Sequence, residues 1–361
     1  MVLLESARVV NMLKVLPRIF FHKGDPLQLI FFITARCNLG CRHCFYAESL
    51  NKPKNELSIE EIKKISKSMG SLLWLALTGG EPFLRKDIAL IAETFYRNNK
   101  FRILTITTNG MFQDSITKAV SEICSKCKKS HIIVYVSLDG LEETHNKIRE
   151  TPEGFQKVLG TIQKLKILKK DFKNLSVATV TTINAENQEE VKDLALLLKD
   201  SVKPDNITIN IIRGKPKSIP LGNIDLKNYF DFIKVQRDGW SGENLGYFEF
   251  FGKNIIKKKE LLQKDIIATV FKENRYVLPC LAGNISCVMT ETGDLYPCEI
   301  LNRKIGGIRE TGYNFGKLYY SKNAEEIRQF IKGTKCYCTY ECAITTNILF
   351  NIKQLIKMLV K

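Results

Sequence analysis

Apolar and polar positions along residues 27–214 switch between two periods. Leu27-Gln28-Leu29-Ile30-Phe31-Phe32-Ile33 is a nearly unbroken apolar run, the pattern of a strand buried on both faces. Similar runs follow at Leu72–Leu77, Arg102–Thr107, Ile132–Leu138, Val177–Thr182 and Ile207–Ile212. Between them the spacing becomes that of amphipathic helices. Ile59, Ile62, Ile65 and Met69 share one face behind Ser58-x-x-Glu61, a capping box in which each side chain satisfies a backbone amide. Phe155, Val158, Ile162 and Leu165 mark a second helix. A third begins near Asn187 and carries Val191, Leu194 and Leu198. Strands alternating with helices predict parallel pairing through right-handed crossovers, hence an α/β fold.

The loop after the first strand reads Thr34-Ala35-Arg36-Cys37-Asn38-Leu39-Gly40-Cys41-Arg42-His43-Cys44-Phe45-Tyr46. Spacings of three and then two residues let one short loop aim three sulfurs at a single point. Thiolates are the usual ligands of iron–sulfur clusters, and a cubane has four irons. Three ligands leave one iron open, which makes it a docking site. Zinc is the competing reading, although tetrahedral zinc sites usually come as two Cys-x2-Cys pairs or with histidines nearby. The next strand runs into Thr78-Gly79-Gly80-Glu81-Pro82, where glycines allow close backbone approach and a carboxylate can accept from an ammonium. Later strands end in Thr107-Thr108-Asn109-Gly110, Ser137-Leu138-Asp139-Gly140, Thr182-Ile183-Asn184 and Ile212-Arg213-Gly214. Taken alone, each of these ends is an ordinary turn.

These motifs resemble the radical S-adenosylmethionine (SAM) superfamily, whose signature is Cys-x3-Cys-x2-Cys with an aromatic residue before the last cysteine. His43 fills the aromatic place. The resemblance covers residues 27–214. It implies a partial (β/α)6 TIM-like barrel with its site at the C-terminal ends of the strands. Cys37, Cys41 and Cys44 would hold a 4Fe–4S cluster, and Gly79, Gly80, Glu81 and Pro82 would hold the SAM amino group. Asn109, Ser137 and Asp139 would line the SAM pocket, and Arg149 would pair with the SAM carboxylate.

A second cysteine group follows at Cys280, Cys287 and Cys298, with Gly293 shortly before Cys298, and then at Cys336, Cys338 and Cys342. It resembles in part the auxiliary-cluster extension called SPASM, or Twitch in its shorter form. The full extension has seven cysteines and two clusters, and here one auxiliary 4Fe–4S cluster is expected. Cys280, Cys298 and Cys342 would be its ligands, with Cys338 or Cys336 as the fourth. Zinc held by the same residues is the alternative. Cys287 alternates with Ile285 and Met289 on a strand and reads as apolar core. Cys124 and Cys127, in a lysine-rich helix, read as incidental surface or half-buried thiols.

Five segments follow: 1–26, an N-terminal amphipathic helical stretch; 27–220, the barrel; 221–278, an aromatic-rich bridge; 279–345, a small α+β cysteine-rich unit; and 346–361, a basic amphipathic helix. The bridge carries Tyr229, Phe230, Phe232, Trp240, Tyr247, Phe248, Phe250 and Phe251, read as a local core or a cavity wall. In the last segment, Ile348, Leu349, Phe350, Ile352, Leu355 and Ile356 are interleaved with Lys353 and Lys357. Basic amphipathic ends suit a membrane interface or packing on the barrel.

The chain has 361 residues, 44% of them hydrophobic, 11 cysteines and a formal net charge of +17. No secretory cleavage pattern is visible, and the clustered cysteines suit a reducing cytoplasm. No apolar run is long enough for a spanning helix. No nucleic-acid module appears beyond the net charge, whereas an acidic redox partner fits it. The resemblance implies a radical SAM oxidoreductase or maturase reduced by ferredoxin or flavodoxin, and peptide or protein modification is the expected activity. Modification of a lipid or lipid-linked sugar at the inner membrane surface is one alternative, and a non-catalytic iron–sulfur carrier or scaffold is another.

Overall fold

Six strands lie side by side in chain order: β1 (Gln28–Thr34), β2 (Trp74–Gly79), β3 (Ile103–Thr108), β4 (His131–Ser137), β5 (Leu175–Ile183) and β6 (Asn206–Ile211). Every neighbouring pair is parallel. The computed structural model describes residues 24–220, 222–239 and 253–360. All seven residues of β1 are buried, as an apolar strand at the centre of a sheet must be. The crossovers carry α1 (Ile59–Lys67), α2 (Ile88–Asn99), α3 (Gln113–Lys126), the pair α4 (Glu142–Arg149) and α5 (Gly154–Leu168), and α6 (Val191–Leu197). The capping box forms: the Ser58 amide donates to Glu61 Oε2 at 2.7 Å and the Glu61 amide donates to Ser58 Oγ at 3.3 Å.

The cysteine-rich segment continues this sheet. β7 (Ser286–Met289) pairs parallel with β1, and β8 (Asp294–Tyr296) and β9 (Gly306–Gly307) follow antiparallel, giving the order β6-β5-β4-β3-β2-β1-β7-β8-β9. Cys287 is buried opposite Leu29, the apolar core role expected of it. The bridge forms α7 (Leu226–Gly239) and α8 (Lys253–Glu273). Tyr229 and Phe232 are buried in the core, whereas Phe230 is exposed. Trp240, Tyr247, Phe248, Phe250 and Phe251 lie outside the described residues, as does the N-terminal stretch 1–23.

Two expectations are corrected. Cys124 and Cys127 are not surface thiols. Both are fully buried where α3 meets the sheet, and burial pushes both thiols up to about 12. The C-terminal apolar stretch is also two elements rather than one. After α9 (Phe315–Tyr319) and α10 (Lys322–Gly333) come α11 (Glu341–Leu349), whose residues are nearly all buried, and α12 (Ile352–Val360). Ile348, Leu349 and Phe350 are core, while Ile352 and Ile356 on α12 stand 41% and 53% exposed. No helix among the described residues is long and apolar enough to cross a membrane.

Candidate functional site

A cavity of ≈ 330 Å³ is lined by the cysteine loop, the strand ends and α8. The strands put polar side chains on its wall at alternate positions, Thr105 and Thr107 on β3 and Asn206, Thr208 and Asn210 on β6, while Ile207, Ile209 and Ile211 point the other way into the core. That alternation is visible in Asn206-Ile-Thr-Ile-Asn210 and distinguishes a cavity wall from a fully apolar strand.

Cys37, Cys41 and Cys44 all face this cavity. The loop that carries them is held from several sides. The Cys37 amide donates to Asn51 Oδ1 and Asn51 Nδ2 donates back to the Cys37 carbonyl, both at 2.9 Å. The Cys44 amide donates to the Cys41 carbonyl at 3.1 Å, and the Arg42 amide donates to the Ile148 carbonyl at 2.9 Å. Asn109 Nδ2 lies 4.0 Å from the Cys37 sulfur, and Arg149 Nη1 lies 3.8 Å from the Cys41 sulfur. Burial pushes Cys37 up to about 11 and raises Cys41 and Cys44 as well. A coordinating metal reverses that balance, because a thiol bound to it is deprotonated.

Gly79 and Gly80 are forced by geometry. A Cβ on Gly80 would stand 2.2 Å from the Arg36 carbonyl oxygen, and Gly79, at φ +125°, would meet the Thr34 carbonyl oxygen at 2.3 Å. The turn after β2 therefore lies directly against the root of the cysteine loop. Glu81 points inward. One of its oxygens accepts from the Phe83 amide at 3.1 Å and the Thr108 hydroxyl at 2.9 Å, and the other accepts from the Asn109 amide at 2.7 Å. Burial lifts this carboxyl to about 7 against those three donors. Pro82 is buried in the same turn.

Ser137, Asn109, His43 and Arg149 reach the cavity wall, and Asp139 lies buried behind it. Arg149 is held by Asp139 through two nitrogens, Nε at 2.6 Å and Nη2 at 2.5 Å. Burial works to raise the Asp139 carboxyl, but Arg149, His43 and His145 together hold it down at about 2. His43 is driven the other way by burial, to about 4, so its imidazole is neutral beside the carboxylate. Its Nδ1 is buried and takes no partner within the described residues.

Four of the later thiols sense one another. Cys280 and Cys336 share a hydrogen bond that favours a thiolate at Cys336, Cys338 feels Cys298 and Cys336, and Cys298 feels Cys336. Cys342 is set differently: it lines the cavity, and its surroundings are Glu299, Tyr340, Arg213 and Glu341. Cys280, Cys298, Cys336 and Cys338 are thus the later thiols that act on one another, and Cys342 stands apart from them beside Arg213 and Glu341. Among the described residues no three His, Cys, Asp or Glu side chains form a group that could hold a single metal ion. The fit of both sites to a larger cluster rests on the donor chemistry, soft sulfur ligands: three on one short loop and four that act on one another electrostatically.

A model of the Radical SAM superfamily matches residues 31–198, from β1 to the end of α6. The barrel is a radical SAM domain. Such a domain uses a 4Fe–4S cluster and SAM. The AdoMet-dependent heme synthase of Methanosarcina barkeri is 26% identical over 88% of this chain and 89% of its own length. The subtilosin biosynthesis protein AlbA of Bacillus subtilis is 25% identical over 80% of this chain and 58% of its own length. The fold is shared with Streptococcus suis SuiB bound to S-adenosylmethionine, at a TM-score of 0.58 and 17% identity, covering 89% of this chain and 72% of that one.

Sequence reading assigned no role to Asn51, Phe45, Lys259, Lys264 or Glu341, and it reached Arg213 only as part of a polar strand end. Arg213 stacks over Tyr340 at 4.4 Å and Phe45 at 5.2 Å and reaches Glu299 and Glu341 at 3.2 and 3.7 Å. Nothing in local spacing marks these residues, since they reach the site from separate parts of the chain: the cysteine loop, the end of β6, α8 and α11.

Proposed function

We propose that this chain is a radical SAM enzyme acting on a peptide, with Cys37, Cys41 and Cys44 holding the SAM-binding cluster and Cys280, Cys298, Cys336 and Cys338 an auxiliary one. The observation that carries this reading is the convergence on one cavity of three loop thiols, the Gly79–Gly80 backbone, Asn109, Ser137 and Arg149. Held there, a cluster reduced by a ferredoxin or flavodoxin, with SAM, would supply one-electron cleavage of a SAM carbon–sulfur bond, with methionine released, and hydrogen-atom abstraction from the substrate.

The chain's own residues do the positioning. Gly79 and Gly80 let the turn after β2 pack against the root of the cysteine loop and present backbone to the cavity, where the amino acid end of SAM would lie. Glu81 ties the ends of β2 and β3 together and so fixes where Asn109 points. Asp139 holds the Arg149 fork against the Cys41 sulfur, where its charge favours thiolate. Thr105, Thr107, Thr208 and Asn210 give the substrate a polar, enclosed wall.

A peptide substrate is supported by AlbA, a bacteriocin biosynthesis protein, and by SuiB, which has been solved bound to its precursor peptide SuiA. A second reading, a heme precursor as substrate, is favoured by the heme synthase that this chain matches over 89% of its length. Anaerobic reconstitution with iron, sulfide, dithionite and SAM tests the core of the proposal. We expect 5′-deoxyadenosine from the wild type and none from Cys41→Ala. Equal amounts from both would end the reading.

A further inference from the structure

Two lysines of α8, Lys259 and Lys264, are buried in the cavity wall at 9% and 6% exposure, with Gln263 between them on the same helix face. Each ammonium carries three donors. Lys259 Nζ spends one on Gln263 Oε1, and Lys264 Nζ spends one on the Ile209 carbonyl, both at 3.1 Å. Neither has a carboxylate within ion-pair reach among the described residues. The surrounding carboxylates act on them only from beyond ion-pair distance: Glu341 on Lys264 and Glu260 on both, while Glu299 and Glu341 come within 4 Å of Arg213. Burial lowers the pKa of both lysines; Glu260 and Cys342 oppose it at Lys259, and at Lys264 Glu341 and Glu260 oppose it while Lys259 adds to it.

Two like charges side by side in a dry wall are costly unless an anion joins them. A structural pair would be met by fixed carboxylates, as Arg149 is by Asp139. Among the described residues these two instead leave donors unused on the surface of the cavity that also holds the cysteine loop. We infer that Lys259 and Lys264 form a subsite for a carboxylate of the substrate. The inference rests on the radical SAM reading and narrows it to an acidic substrate. The carboxylate belongs to an acidic side chain of a peptide or to a small organic acid, and both present the same two oxygens to the two ammoniums.

The test uses the full chain, reconstituted anaerobically and loaded with SAM, and isothermal titration calorimetry. The probes are N-acetyl-Ala-Glu-Ala amide with its Gln counterpart, and glutarate with glutaramide. We expect an acid to bind at least tenfold tighter than its matched amide, and Lys259→Met and Lys264→Gln each to remove most of that preference. Tighter binding of the tripeptide assigns the carboxylate to a peptide, and tighter binding of glutarate assigns it to a small acid. Equal binding of acid and amide, no binding of either acid, or undiminished preference in both variants overturns the subsite. SAM affinity and iron content, measured on the same samples, separate the two levels. Loss of SAM binding in the wild type would sink the radical SAM reading, whereas intact SAM binding without acid preference sinks only the subsite. Stability gives an independent readout. Lys259→Met removes an unpaired buried charge, so its melting temperature equals or exceeds that of the wild type, whereas a structural lysine would give a lower one.

Discussion

Glu81 shows how little a motif says about where its side chain goes. Three donors surround its two oxygens, and no water reaches it. Glu81→Gln puts an NH2 against one of those donors, and we expect a loss of about 1–3 kcal/mol in chemical denaturation. The carboxyl also titrates at about 7 rather than at its ordinary value of 4.5, so the folded state holds the proton more tightly. Its contribution is full below pH 4.5 and disappears as pH rises through about 7. Stability measured across that window falls with rising pH in the wild type, and Glu81→Gln lacks that component. Gly80→Ala meets backbone rather than a movable side chain, so about 1–3 kcal/mol and a drop in iron per chain are expected together. Wild-type iron content in Gly80→Ala would show that the turn and the cysteine loop are not mechanically joined. The triad Cys37, Cys41 and Cys44 is legible from spacing alone, because three ligands on one loop need no other element. The Arg149–Asp139 pair and the buried lysines are not, since their meaning comes from what packs around them.

Among the elements, the strands were readable because each is an apolar run between turn residues, and α1 because its capping box is local. The pairing of β7 with β1 was hidden. Some 250 residues separate Gln28 from Ser286, and no local pattern specifies which edge a late strand will join. The cysteine groups divide by the same logic. Cys287, Cys124 and Cys127 are packed as apolar side chains, while Cys280, Cys298, Cys336 and Cys338 share one electrostatic neighbourhood. Iron analysis after reconstitution should therefore fall by about half in Cys298→Ala or Cys338→Ala and stay unchanged in Cys342→Ala. An equal fall in Cys342→Ala would return that residue to the auxiliary site.

At the scale of the molecule, a net charge of +17 is a long-range feature that no single residue carries. An acidic electron donor is steered by such a field, and salt screens it over about 8–10 Å. We expect the rate of cluster reduction by ferredoxin or flavodoxin to drop as ionic strength rises. A rate independent of salt would mean that the basic surface plays no part in docking the donor. The claim on which the rest depends is that one iron of the cluster on Cys37, Cys41 and Cys44 lacks a protein ligand and is open to SAM. Electron paramagnetic resonance of the reduced, anaerobically reconstituted enzyme tests it directly, with the auxiliary signal removed by Cys298→Ala. The account predicts that adding SAM shifts the g-values of the remaining cluster, and a spectrum unchanged by SAM would contradict it.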